Sequence, residues 1–569
     1  MFGHDVHRYL DLVLPVGRSV PAYGPVCTVC LIGMKETSVM LYFIPAWYKQ
    51  NTWSEKEQSW YERRTKSEFD ETIKQITLFH RNVDVEYRIL LLGFSPNFRH
   101  FLHRQGMYRA PYWSCFDAVC QIRQTKTAVL SYLDIKWPEG VAFVYSPFAV
   151  IAYMQGEKYA QVEFGEDGNP IAIAMYRNEQ VIRKNYYDDR GFVSGSVVYE
   201  NGIPQYQDYL TVQGIWKMRQ FMEDGHVEIN SSFPCYDIRE NGQIREVPFQ
   251  KNWYASIEEV IEEVFAVYLQ HTQADDKFFV AAHSLHIGVL ERCLAHRSVV
   301  TTFFENRYDY AQIGKIRDFL ESSDYVITDS RQTTATIENY LGDAVLHITD
   351  ISPYDTRMDF GISSQLKVQN ILLPVDGIRQ EEYHQIILQI AHYLETNELA
   401  RVHIFTREAS WGYEERLKKE LADFLETSGY DRHWVLQEEP HLVAENEIDG
   451  KEVTQRFFVD VCVDERTISK CINEQRVILD LRKTVDVYVD ITAISKGVPR
   501  ISMHTDQFFE HKKNGYLIHE YSQIEESLHY YLDSFENWNA ALVQCYEIGR
   551  CYTTDILLAA WRKVLGISG

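Results

Sequence analysis

The chain offers no apolar run long enough to cross a bilayer. The early stretch around Val26 to Met34 is short and broken by Gly and Pro, and no secretory leader pattern is recognisable. There is no G-x-x-x-x-G-K-S/T loop and no strand-linked G-x-G-x-x-G, so intrinsic ATPase or dinucleotide chemistry is not expected. Positive charge is scarce: 57 Lys and Arg face 81 Asp and Glu, a net charge of -24. Such a surface repels phosphate backbones, which argues against nucleic acid as a partner but leaves basic or Ser/Thr-rich partners open. Ten cysteines are scattered without a disulfide framework. Cys27-Thr-Val-Cys30 has metal or redox spacing but lacks a second pair, so no metal and no cofactor are expected. These absences together describe a reduced, cytoplasmic protein.

What is present is aromatic. Phe, Trp and Tyr make up 14% of the chain, with 37 Tyr. Two readings stand: aromatic cores and sheet surfaces, or a surface that stacks on sugars or peptides. Between Gln155 and Gly225, turn signals recur at near-equal spacing: Gln155-Gly156, Asp167-Gly168-Asn169, Asn178-Glu179, Asp189-Arg190-Gly191, Asn201-Gly202, Gln213-Gly214 and Asp224-Gly225. Segments such as Ile171-Ala-Ile-Ala-Met-Tyr176 lie between them. Gly, Asn and Asp accept the positive φ of tight hairpins, so the stretch reads as a meander of about seven short antiparallel strands.

On both sides of the meander, strands alternate with helices. Met40-Leu-Tyr-Phe-Ile-Pro45 reads as the first strand, a helix then carries Phe69, Ile73, Ile76 and Phe79, and Tyr87 to Phe94 forms the second strand. After the meander, a helix near Ile257–Gln270 leads to strands at Phe278–Ala281, Val299–Phe303 and Tyr325–Thr328. A second unit opens at Ile371-Leu-Leu-Pro374, with further strands expected at Val402–Phe405, His433–Leu436, Phe457–Cys462, Val477–Asp480, Val487–Asp490 and Gly515–Ile518. A long helix over 536–566 closes the chain. The expected organisation is an extension over 1–39, disordered or a misassigned start, and a Rossmann-like domain over 40–136 resuming at 246–365. A β-meander is inserted at 137–245, a second Rossmann-like domain spans 366–535, and a C-terminal helical segment spans 536–569. That is α/β architecture on the GT-B plan, a pair of Rossmann-type domains with an inserted antiparallel domain.

The segment Thr492-Ala-Ile-Ser-Lys-Gly497-Val-Pro499-Arg-Ile501, followed by Lys513-Asn514-Gly515-Tyr-Leu-Ile518, resembles the donor-domain signature of retaining GT-B glycosyltransferases. That resemblance implies a Gly-x-Pro turn setting a helix N-terminus under a nucleotide-sugar diphosphate. It also implies two glutamates eight positions apart. Thr484 and Thr492 stand at those positions, and neither can ionise. Arg379 is the sole survivor of a diphosphate-binding basic pair, with Glu381, Glu382 and Tyr383 following it. Donor chemistry is therefore not expected, and no catalytic residue is assigned.

The runs Leu41-Tyr-Phe-Ile-Pro-Ala-Trp-Tyr48, Tyr112-Trp-Ser114, Tyr186-Tyr-Asp-Asp-Arg-Gly-Phe192, Tyr206-Gln-Asp-Tyr209 and Glu223-Asp-Gly-His-Val-Glu228 resemble the first of the accessory Sec-system proteins of Gram-positive bacteria. The resemblance covers about residues 40–569. It implies a non-catalytic cytoplasmic protein, peripherally associated with the export machinery at the membrane. It further implies two sibling accessory proteins, a dedicated motor ATPase and a serine-rich repeat glycoprotein adhesin as partners, with carbohydrate binding by the old cleft. The alternative is an active retaining GT-B glycosyltransferase that modifies serine-rich protein. Candidate sugar- or peptide-binding residues are Trp47, Tyr48, Trp53, Trp60 and Tyr61 on the first β-to-α loop; packing against neighbouring helices is the competing reading. His283 reads as a satisfied structural histidine. The meander's Tyr206, Tyr209 and Trp216 suit either a partner surface or a structural lid.

Overall fold

The computed structural model describes residues 39–49, 52–54, 59–61, 70–82, 85–240, 243–305, 307–342, 344, 346–436, 455–484 and 486–566. The 1–38 stretch with its Cys27–Cys30 pair, and Phe69, lie outside them. The chain divides into two compact units. One holds the described parts of 39–63 with 84–302 and 312–324; the other holds those of 64–83, 303–311 and 325–569.

In the first unit, strands Ser298–Phe303, Lys277–Ala281, Met40–Ile44, Glu86–Leu91 and Tyr112–Ser114 pair in that order, all parallel. Strands covered on both faces read as continuous apolar runs rather than alternating ones. Here Leu41, Tyr42, Phe43 and Ile44 are all buried, and cross-strand Phe43 and Phe279 stack with ring centroids 4.9 Å apart.

The meander follows as a ten-stranded sheet running from edge strand Val141–Tyr145 through consecutive hairpins to Val227–Ile229, with Trp253–Tyr254 added at the far edge. Each turn anticipated between Gln155 and Gly225 is found. At Asn178 and Glu179 both central residues take positive φ, 49° and 62°, closing the two-residue loop between Pro170–Arg177 and Gln180–Tyr187. A separate hairpin, Cys235–Glu240 with Gln243–Pro248, had no counterpart in the sequence reading.

The meander is fixed to the parallel sheet by close packing at Gly195. A Cβ there would lie 2.9 Å from Phe94 Cζ, and Phe94 is itself held by Phe116 and Tyr209. Gly195→Ala is therefore expected to cost about 1–2 kcal/mol through overpacking, read as a lowered melting temperature. An unchanged transition would mean that the Phe94 ring yields freely.

A buried ion network sits at the same junction. Arg99 from helix Phe98–Arg104 reaches Asp188 and Asp189 in the hairpin turn, and Arg190 binds Asp188 and Asp117. The Asp188-Asp189 pair is thus spent on arginines.

The second unit is built on a six-stranded parallel sheet. Its order is Phe457–Val461, Ala400–Thr406, Gln369–Pro374, Val477–Asp480, Arg500–Ser502 and Gly515–Leu517. Helices Gln380–Thr396 and Tyr413–Thr427 pack their apolar faces onto it through Ile386, Ile387, Ile390, Leu421 and Leu425. Helix Glu71–Asn82 belongs to this unit, with Phe79 edge-on to Trp561 at 5.4 Å.

Three expected elements are corrected. His433–Leu436 is not a strand: Arg432–Trp434 form a single 3-10 turn capped by Asp431. Val487–Asp490 is not a strand but the start of helix Val487–Lys496, which Asp486 caps. The closing helix is two, Phe535–Gly549 and Thr554–Leu565, divided at Arg550–Tyr552. Among the described residues, no helix is long and apolar enough to cross a membrane.

Candidate functional site

The helix Val487–Lys496 organises the candidate site. Its first N–H groups have no partner within the helix, and the positive end of its dipole is where an anion would bind. That position is filled from within. The Asp486 side chain accepts from Val489 N at 3.1 Å, and Arg407 Nη2 donates to Asp486 Oδ1 at 2.9 Å. Arg482, buried beside it, binds Asp480 at 2.6 Å and approaches Asp486 at 3.6 Å. Further along the helix, buried Asp490 pairs with Arg500, which also holds Asp506. Burial pushes the Asp490 carboxyl up, with Arg500 opposing the shift. Acids are thus present in this segment, but as members of buried ion pairs.

More carboxylates gather nearby. Glu305, in the left-handed region at φ 48°, donates its backbone N–H to Asp329 Oδ2 at 2.6 Å. Its Oε1 is buried with no hydrogen-bond partner among the described residues. Burial and then the Asp486 charge push the Glu305 carboxyl up to about 7, against the pull of Arg407. Glu71 pairs with Arg307 at 2.6 Å, and Lys74 with Glu465 at 2.6 Å. Tyr354 stands among these groups with a buried hydroxyl that has no hydrogen-bond partner among the described residues, its ring 4.9 Å from that of Tyr488. Burial raises the Tyr354 hydroxyl well above the usual tyrosine value. The neighbourhood is crowded with negative charge and neutralised by its own arginines.

Thr484 is exposed just ahead of the helix, whereas Thr492 lies buried inside it. Gly497 takes φ 69° as the C-cap of that helix, and Leu542 and Phe360 crowd the place where a Cβ would stand. Gly497-Val-Pro499 therefore ends a helix and leads into strand Arg500–Ser502, which corrects the expectation that this turn sets a helix N-terminus. Arg379 is exposed at the start of helix Gln380–Thr396 and is paired with Glu382. Asp486, Asp490, Arg407 and Glu305 were missed. The spacing Asp486–Asp490 is the one signal that pointed to them, and it emerges only once 487–496 is read as a helix.

The five aromatics belong to the first unit and divide into two groups. Trp47 packs on Phe98 and Phe101, at 5.8 and 4.9 Å, with its Nε1 buried and unpartnered among the described residues. Trp53 is buried and donates Nε1–H to Glu258 Oε1 at 2.5 Å. Tyr48 lies 3.0 Å from His286 Nδ1, while His286 Nε2 lies 2.8 Å from the Ala281 carbonyl. A carbonyl only accepts, so Nε2 carries a proton, and in the neutral ring the Tyr48 hydroxyl donates to Nδ1. His283 caps helix Ser284–Cys293 by accepting from Leu285 N. Trp60 and Tyr61 stand apart: Trp60 is 47% exposed and donates its backbone N–H to Phe164 O, and Tyr61 packs on Phe148 at 5.1 Å.

Parallel Rossmann-like sheets, the first interrupted in sequence by a large antiparallel sheet, place the chain in the GT-B glycosyltransferase-like fold class. A pneumococcal O-GlcNAc transferase, solved with UDP and GlcNAc, shares this fold at TM-score 0.63 and 12% identity, over 93% of this chain and 99% of its own. The family model for the first accessory Sec system protein matches residues 40–567, and the chain belongs to that family. The accessory Sec system protein of the same family from Streptococcus gordonii is 30% identical over 92% of this chain and 99% of its own length. A solved structure of accessory secretory proteins 1, 2 and 3 from Streptococcus pneumoniae contains a chain that superposes at TM-score 0.74. It has 27% identity and is covered over 99% of its length by 93% of this chain.

Proposed function

We propose that this chain is a non-catalytic component of the accessory Sec system. In this reading it assembles with two sibling accessory proteins, binds a glycosylated serine-rich repeat adhesin, and supports delivery to the motor ATPase and channel from the cytoplasmic side. Family membership supports the system, and the naming of proteins 1, 2 and 3 in one solved structure supports the siblings.

The observation that carries the non-catalytic part is the carboxylate of Asp486 on the N-terminus of helix Val487–Lys496. A sugar-nucleotide diphosphate would have to displace it and then meet Glu305, whose charge is already disfavoured there. The two uncharged positions, Thr484 and Thr492, supply no acid in compensation. Carbohydrate recognition, in this reading, uses exposed aromatics of the first unit such as Trp60.

Titration calorimetry of the purified chain with UDP-GlcNAc and UDP-glucose is expected to give no binding heat. Micromolar binding, or turnover of either compound, would replace this reading with that of a working retaining glycosyltransferase. In the same preparation, Trp60→Ala should weaken retention on glycosylated serine-rich peptide several-fold with folding intact. Unchanged retention would remove Trp60 from the binding surface.

A further inference from the structure

A cavity lies wholly within the first unit, remote in sequence from the helix Val487–Lys496 site. It encloses about 380 Å³ and is bordered by strand Tyr112–Ser114, the loop at 122–125, and the hairpin Cys235–Glu240/Gln243–Pro248. Its aromatic wall is Trp113 stacked on Tyr268 at 4.4 Å.

The charges of this cavity are unequally spent. Arg123 is bound to Asp237 at 2.7 Å and to Glu246 at 3.1 Å, and Asp117 is bound to Arg190 at 2.8 Å. Among the described residues, Arg88 donates to the neutral Tyr268 hydroxyl, at 3.2 Å. Neither Arg88 nor Arg239 is salt-bridged to a carboxylate among the described residues. Two guanidinium groups without a carboxylate ion pair among the described residues therefore line one concave site, in a chain whose net charge is -24.

The main chain at this site is open as well. Among the described residues, Tyr112–Ser114 pairs with Glu86–Leu91 alone, as the last strand of its sheet. In a parallel ladder, alternate residues turn their N–H and C=O to the same neighbour. Ile89 N donates to Pro111 O at 2.9 Å, so 111 and 113 face the paired strand, and the Tyr112 N–H and C=O face the unpaired side. Open backbone groups, an aromatic wall and spare guanidinium groups match an extended chain carrying carboxylates.

We propose that this edge and cavity dock an extended acidic segment of a partner protein. The segment adds as a strand beside Tyr112–Ser114 and places its carboxylates on Arg88 and Arg239. The site does not depend on the non-catalytic reading above and stands or falls separately from it.

The test uses the full chain and fluorescein-labelled peptides about eight residues long: alternating Glu-Val, alternating Lys-Val, and Glu-Val N-methylated at every second amide in either phase. The Glu-Val peptide is expected to bind and the Lys-Val peptide not. One phase of N-methylation should weaken binding about tenfold or more, since it removes the edge-facing amides. Arg239→Glu and Thr125→Glu, both at exposed positions lining the cavity, should each weaken it by a similar factor. Binding that survives both substitutions would overturn the site, as would absence of Glu-Val binding. Equal binding of both N-methylated peptides would overturn strand addition.

Discussion

Replacing Arg500 by Met is expected to be the most damaging single change in the second unit. Arg500 is buried between Asp490 and Asp506, both of which it contacts through its guanidinium, and Phe509 covers it at 5.3 Å. Burial penalises all three charges, and only their mutual attraction offsets that penalty. Truncating the cation leaves two carboxylates facing each other in a buried space, which costs about 3–5 kcal/mol. For a unit of this size the melting temperature should fall by about 10 °C. The triple change Arg500→Met, Asp490→Leu, Asp506→Asn should recover most of the loss, because it removes the uncompensated charges along with the cation. If Arg500→Met alone melts where the native chain does, the network contributes nothing and the acids near Thr492 are free for other work. That outcome would also weaken the view that this segment's carboxylates are committed to structure.

The legibility of the chain was uneven for physical reasons. The meander was readable because its turns need residues that tolerate positive φ, and Asn178, Asn201 and the turn glycines sit where that need arises. The central parallel strands were readable as continuous apolar runs, as at Ile371-Leu-Leu-Pro374. The helix Val487–Lys496 was not. Its Val, Tyr, Ile and Thr favour strands locally, and every residue but Tyr488 is buried, so no polar face marks a helical period. The Asp486 cap and the Gly497 stop were its only helical signals. Misreading it hid Asp486 and Asp490, and with them the self-neutralised character of the site. The hairpin beginning at Cys235 was missed for a different reason: its outer strand is mostly exposed and mixes Arg, Glu and Gln with Ile and Val. The aromatic loop was readable in composition only. Which rings packed inward, as Trp53 does, and which stayed exposed, as Trp60 does, depended on partners from distant segments such as Glu258 and Phe148.

Glu305 gives the site a pH signature. Its ordinary value is 4.5, and in the folded chain burial and the Asp486 charge raise it to about 7, while Arg407 only partly opposes them. Asp329 and Glu71 add to the rise. A carboxyl that binds its proton more tightly when folded stabilises the native state as pH falls; its penalty grows as pH climbs from about 4.5 to about 7 and is complete above that. Glu305→Gln keeps the shape and removes the charge. At pH 8 the variant should be more stable than the native chain by about 2–3 kcal/mol, and the two should converge as pH falls below about 4.5. Melting temperatures taken across that interval decide the matter. Parallel profiles would mean that Glu305 is solvated in the free protein, and the anion-hostile character assigned to this neighbourhood would fall with it. Convergence in the expected sense would instead mark Glu305, held at positive φ with an oxygen unpartnered among the described residues, as a group kept at a cost to stability.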